Sequence, residues 1–206
     1  MKFRKLLNEV FSGPSQIAVL RPLYLHKSGI TGRETARLAG ISPKSALQAL
    51  SGLEQLKIVK RVIGGRDHHF TLNRENYIVK NGISPLLRAE TDMLNRLLQL
   101  VKKEISPFSL SIVLFGSVAR GEENSSSDLD ILIIPQDPAS AKEINAKIVK
   151  LRIKSEEEYG VHISPMILTK EKLRKLAKSG SSVIESLRSD GVVIFGKTLT
   201  GLINGT

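Results

Sequence analysis

Leu114 to Leu132 reads L-F-G-S-V-A-R-G-E-E-N-S-S-S-D-L-D-I-L. A β-rich run from Leu110 to Phe115 stops at Gly116-Ser117, and a second apolar run, I-L-I-I, follows Asp130. Gly116 lets a strand end turn sharply, and a helix starting at Ser117 would aim its free N–H groups and its hydroxyl at an anion in the turn. A phosphate chain fits such a turn. Arg120 either neutralises that phosphate or pins the loop to a neighbouring acid. Asp128 and Asp130 stand one residue apart at the head of the next strand, so their carboxylates share one face while Leu129 and Ile131 take the other. Two acids so close repel unless a cation lies between them. Magnesium, a hard ion that accepts carboxylates together with phosphate oxygens, is the natural partner.

A Gly-Ser turn followed by Asp-x-Asp is similar to the signature of the minimal nucleotidyltransferases of the polymerase-beta-like superfamily. The resemblance covers about Ser109 to Leu168 and, less specifically, continues to Lys197. It implies that Gly116 and Ser117 hold nucleotide phosphates and that Asp128 and Asp130 coordinate magnesium for transfer of a nucleotidyl group from a nucleoside triphosphate. Arg120 and Gly121 match the A-R-G segment often seen after the turn.

Transfer-competent members of that superfamily usually add a third carboxylate from a later strand. Here that strand is expected at Gly160 to Met166, after a helix over Lys142 to Glu158, and its alternation puts His162 and Ser164 on one face. That face carries no acid. His162 is therefore the candidate third catalytic group, with three readings open: a working replacement, a member of a nucleotide-binding but inactive pocket, or a plain packing residue. A neutral imidazole competes poorly with a carboxylate for a hard ion. Glu156, Glu157 and Glu158 read as solvated charge at a helix end.

The front half follows a different pattern. Residues 1–90 hold 15 basic and 6 acidic side chains, whereas residues 91–206 hold 16 and 14, so the positive excess is concentrated early. Such a field attracts a polyanion. A helix is expected over Ser15 to His26, bent or shortened by Pro22. Thr31 to Glu34 has capping-box spacing, and the short helix that follows should bury Ala36 and Leu38 and end at Gly40. Ser42 then caps a helix with Pro43 in its first turn and an apolar stripe of Ala46, Leu47, Leu50, Leu53 and Leu56. Lys44, Ser45 and Gln48 lie off that stripe, as groups that contact phosphates and base edges do. Strands over Lys57 to Ile63 and His68 to Leu72, joined through Gly64-Gly65-Arg66-Asp67, form a hairpin carrying Lys60, Arg61 and Arg66. From about Ile17 to Leu72 the chain resembles the winged-helix transcriptional regulators, which implies double-stranded DNA as a partner and, because paired half-sites are common, a homodimer; the alternative is a winged helix used only for protein contacts or dimerisation.

The remaining composition narrows the classes. No cysteine is present, which removes disulfide frameworks, thiolate zinc and catalytic thiols. The four histidines show no compact metal-ligand spacing. With 206 residues, a formal charge of +11, 41% hydrophobic residues and no bilayer-length apolar run, the chain reads as a cytoplasmic protein with no membrane partner. The expected fold is two-domain α/β: a winged helix-turn-helix over 1–83 and a nucleotidyltransferase-like domain with a mixed sheet over 84–206. Helix 84–107 serves as connector or first helix. The basic segment Thr169 to Ser179 either lines a nucleic-acid path or solvates its helix, and Val192 to Gly196 reads as a closing strand. Two functions follow. In the first, a DNA-binding transcriptional regulator carries a nucleotide- and magnesium-binding domain, catalytically impaired for want of a third acid. In the second, an active magnesium-dependent transferase moves a nucleoside monophosphate to a hydroxyl of protein, nucleic acid or a small molecule. This second reading resembles the minimal transferases that pair with an all-helical toxin, so it implies a protein acceptor or a helical toxin-type partner.

Overall fold

The structure is a computed structural model that describes residues 5–64 and 67–204. The chain divides into two compact units, Met1–Asp92 and Met93–Thr206, and the division falls inside one long helix.

The first unit runs α1 (Leu6–Val10), α2 (Pro14–Leu25), β1 (Ile30–Thr31), α3 (Gly32–Ala39), α4 (Pro43–Gln55), β2 (Val59–Gly64) and β3 (Asp67–Leu72), followed by a π-helical turn over Val79–Ile83. Its three strands pair antiparallel in the order β1-β3-β2. Leu20, Leu23, Ala36, Ala46, Leu50, Leu53, Ile58 and Phe70 close its core. Local chemistry sets the helix starts. Thr31 accepts from the Glu34 amide at 3.2 Å, and Ser42 accepts from the Ser45 amide at 3.1 Å. The expected return arm of the capping box is absent, because Glu34 instead takes two hydrogen bonds from Arg37. Pro22 sits inside α2 without ending it. Two apolar expectations fail: Leu38 is 39% and Leu47 51% exposed, since α3 and α4 bury their alanines against each other and turn these leucines outward.

The long helix α5 spans Ser84–Ile105, and a 3-10 turn over Ser106–Phe108 follows it where Pro107 blocks continuation. Leu86 is 57% exposed, whereas Leu97, Val101 and Ile105 enter the core of the second unit. That unit continues with β4 (Ser109–Phe115), α6 (Gly116–Arg120), β5 (Leu129–Pro135), α7 (Pro138–Tyr159), β6 (Ile163–Ile167), α8 (Lys170–Lys178), α9 (Ser182–Ser189), β7 (Val192–Gly196) and α10 (Leu199–Asn204). The sheet is mixed, in the order β6-β5-β4-β7: β5 runs parallel to β6, and β4 runs antiparallel to β5 and β7. Both faces are covered. Ile112, Leu114, Ile131 and Ile133 pack with residues of α5 and α7, while Val113, Leu132 and Ile134 pack with residues of α8, α9 and α10. Burial on two sides explains why I-L-I-I is uninterrupted rather than alternating. Helix α7 starts earlier than the sequence suggests because Asp137 caps it, accepting from the Ser140 amide at 2.7 Å. Among the described residues no helix is long and apolar enough to cross a membrane.

Candidate functional site

The carboxyl end of β4 and the amino ends of β5 and β6 lie side by side in the sheet. Phe115 pairs with Asp130, and Asp130 pairs with Ser164. The Gly-Ser turn, the acid pair and the start of β6 therefore meet at one edge of the sheet. Gly116 has φ +78°, a conformation that L side chains rarely adopt, and a Cβ there would collide with Asp130 Oδ2. The sequence argument for glycine was the turn alone, whereas the fold adds the close approach of a carboxylate.

Asp128 is exposed just before β5, and Asp130 is half-buried inside it. The loop leading to them is tied: Asn124 Oδ1 accepts from the Ser126 amide at 2.9 Å, and the Asn124 amide donates to Ser127 Oγ at 3.0 Å. Burial raises the Asp130 pKa, a side-chain hydrogen bond with Ser164 partly offsets this, and the neighbouring Asp128 charge raises it further. Neither acid forms an ion pair among the described residues. Two like charges without a protein cation, beside a turn too close for any side chain, suit a divalent ion shared with phosphate oxygens. Among the described residues no group of three acids or histidines gathers to hold a metal unaided.

Arg120 ends α6. Its Nε donates to Glu122 at 2.7 Å and its Nη1 to Asp190 at 3.0 Å. Asp190 caps the end of α9, and hydrogen bonds from Ser189 first and Arg120 second hold its pKa below the usual carboxylate range. The neighbouring acid expected from the sequence is Glu122, whereas Asp190 was missed because it reaches the turn only through the pairing of β7 with β4.

His162 departs from its expected place. Strand β6 begins at Ile163, and the His162 carbonyl accepts from the Leu129 amide at 2.8 Å. The ring is held by α7: Nδ1 lies 2.7 Å from Glu156 Oε1 and Nε2 lies 3.4 Å from Arg152 Nη2. Alternation put His162 beside Ser164, but the strand does not extend to it. Glu156, read as solvated charge, is the residue that engages the ring. Ser164 is the group facing Asp130.

In the first unit, Lys44 and Gln48 are exposed on α4 and Lys60 is exposed on β2. The Ser45 hydroxyl is shared with the Ser42 hydroxyl at 2.9 Å, inside the cap. Arg61 is engaged internally: Nη2 donates to Glu54 at 2.5 Å, and the guanidinium lies 5.4 Å from the Phe70 ring centroid. Arg66 lies outside the described residues.

Residues 94–196, half of the chain, match the family described as nucleotidyltransferase domain. The protein belongs to that family. A Methanocaldococcus jannaschii protein whose name proposes protein adenylyltransferase activity is 39% identical over 59 residues, which cover 29% of this chain and 59% of that one. Among solved structures, a mutant of the toxin–antitoxin pair MntA–HpeT is similar at 19% identity and TM-score 0.38, covering 54% of this chain and 81% of that one. An archaeal chromatin protein, described as showing a novel mode of DNA binding, is similar at 18% identity and TM-score 0.29, covering 89% and 73%. Neither score reaches the level of a shared overall fold.

Proposed function

We propose that the second unit is a magnesium-dependent nucleotidyltransferase that moves a nucleoside monophosphate from a nucleoside triphosphate to a hydroxyl acceptor. The observation that carries this reading is the approach of Asp130, one acid of the pair, to Gly116 in the phosphate turn. Asp128 and Asp130 would hold the ion. Bound there, magnesium supplies charge neutralisation for an in-line displacement at phosphorus. Gly116 lets the Asp130 carboxylate stand against the backbone of the turn, and the half-buried Ser117 hydroxyl adds a donor. Arg120 braces the end of α6 through Glu122 and Asp190, keeping the turn in place. The acceptor hydroxyl gives up its proton to water as its oxygen bonds to the α-phosphorus, while the bond to the bridging oxygen breaks and pyrophosphate leaves. The M. jannaschii relative, with its proposed adenylyltransferase activity, favours adenylate as the transferred group and protein as the acceptor.

Incubating the full chain with magnesium and each α-labelled triphosphate tests the reading. Labelled product or released pyrophosphate that disappears in Asp128→Asn supports transfer. Triphosphate binding without either product counts against it.

A second reading rests on the first unit. Helices α2 to α4 followed by the β2–β3 hairpin have the order of a winged helix, and exposed Lys44, Gln48 and Lys60 sit on its basic half. Here the unit docks on double-stranded DNA as a dimer, and the second unit either modifies its target there or senses nucleotide. The two-carboxylate site favours sensing to the extent that transfer needs a third acid.

A further inference from the structure

Ser164 lies directly opposite Asp130 in the parallel register of β5 and β6, and its hydroxyl favours the ionised Asp130 carboxylate. Strand parity puts it on the same face as Met166 and Leu168, the side of the sheet that Asp130 shares with Leu132 and Ile134. It is half-buried, as is its register partner Asp130. No acid is available to take over this position. Glu156 is committed to the His162 ring, and no third acid or histidine joins Asp128 and Asp130 among the described residues.

The donor set beside the turn is thus two carboxylates and one hydroxyl. Affinity for a hard divalent cation rises with the number of charged oxygens, and magnesium in particular is commonly held by one or two carboxylates plus the phosphates of its substrate. Two carboxylates neutralise the ion but leave most of its coordination to water. A hydroxyl fixes the geometry of Asp130 without adding charge. A triphosphate brings the missing anionic oxygens.

We propose that Ser164 is a positioning residue for Asp130, and that its hydroxyl, an uncharged group in register with that acid, makes the site take a divalent cation together with a triphosphate rather than ahead of it. This deepens the reading of the edge as a nucleotide–cation site and rests on that reading.

Manganese serves as the probe, because its binding is read without turnover. Titration of manganese into the full chain, followed by electron paramagnetic resonance, gives the affinity without nucleotide. Anisotropy of a fluorescent, non-hydrolysable adenine or guanine triphosphate analogue, with manganese or with chelator, gives the joint affinity. For the natural chain the expected result is millimolar or weaker manganese binding alone, but at least about tenfold tighter analogue binding with the metal than without. Ser164→Asp should bind manganese alone at least about tenfold more tightly than the neutral control Ser164→Asn. Ser164→Thr should keep the joint affinity of the natural chain, and Ser164→Ala should weaken it. Micromolar manganese binding by the natural chain without nucleotide overturns the proposal, and this arm needs no variant to fold. Ser164→Asp binding no tighter than Ser164→Asn overturns it as well, while leaving the nucleotide–cation reading in place. Failure of the natural chain to hold the analogue under any condition overturns both.

Discussion

Asp130 and Gly116 approach so closely that the space a Cβ would need at position 116 is filled by Asp130 Oδ2. Gly116→Ala therefore meets both a left-handed φ and a carboxylate. Loss of about 1 kcal/mol or more of stability is expected from the backbone alone. Triphosphate binding should fall at least about tenfold, because the displaced acid no longer faces the turn. Thermal melting and analogue anisotropy measure the two effects.

Asp130→Asn should separate stability from activity. Burial and the Asp128 charge raise the Asp130 pKa, so the folded chain holds this proton more strongly than the unfolded chain does. The ionised carboxylate consequently costs stability above its folded pKa, and the cost disappears as pH falls below the unfolded value. The amide variant should melt higher at neutral pH, by less than about 1 kcal/mol because solvent reaches the site, and the gain should vanish towards acid pH. Transfer should drop by at least about 100-fold in the same variant. Melts across a pH series, paired with pyrophosphate release, check both.

His162→Gln tests whether the clamped ring takes part in the chemistry. With both ring nitrogens engaged by α7, the expected effect is a loss of about 0.5 to 1 kcal/mol of stability and a transfer rate within about threefold. A rate loss as deep as that of Asp128→Asn would return the imidazole to the reaction.

On the first unit, Lys44→Ala should weaken duplex binding across sequences and reduce the salt slope by about 1. Gln48→Ala should instead relax preference at one base pair, at a cost of about 1 to 3 kcal/mol. Arg61→Ala is expected to lower the melting temperature more than the affinity, because the guanidinium already serves Glu54 and Phe70. Salt-dependent anisotropy on duplex DNA, beside thermal melts, distinguishes these outcomes.

Strands β4, β5 and β7, most helices and the caps at Thr31 and Ser42 were legible in the sequence, since each depends on a few neighbouring residues. A continuous apolar run marked Leu129–Pro135, which is buried on both faces, whereas alternation failed at His162, where the strand had not yet begun. Leu47 reads as core by spacing yet faces outward, because helical periodicity fixes a stripe's width but not which edge of it meets the neighbouring helix.

The sequence by itself determined the chemistry at hand: a glycine able to turn, a hydroxyl after it, two acids one residue apart at the head of a strand and a basic first half. Only the tertiary structure decided which residues became neighbours. The register of β5 against β6 set Ser164 rather than His162 beside Asp130, and the pairing of β7 with β4 brought Asp190 to Arg120. Local conformation follows from adjacent side chains and backbone sterics. Strand register is settled by how whole apolar faces fill a shared core, a quantity that no short stretch of sequence contains.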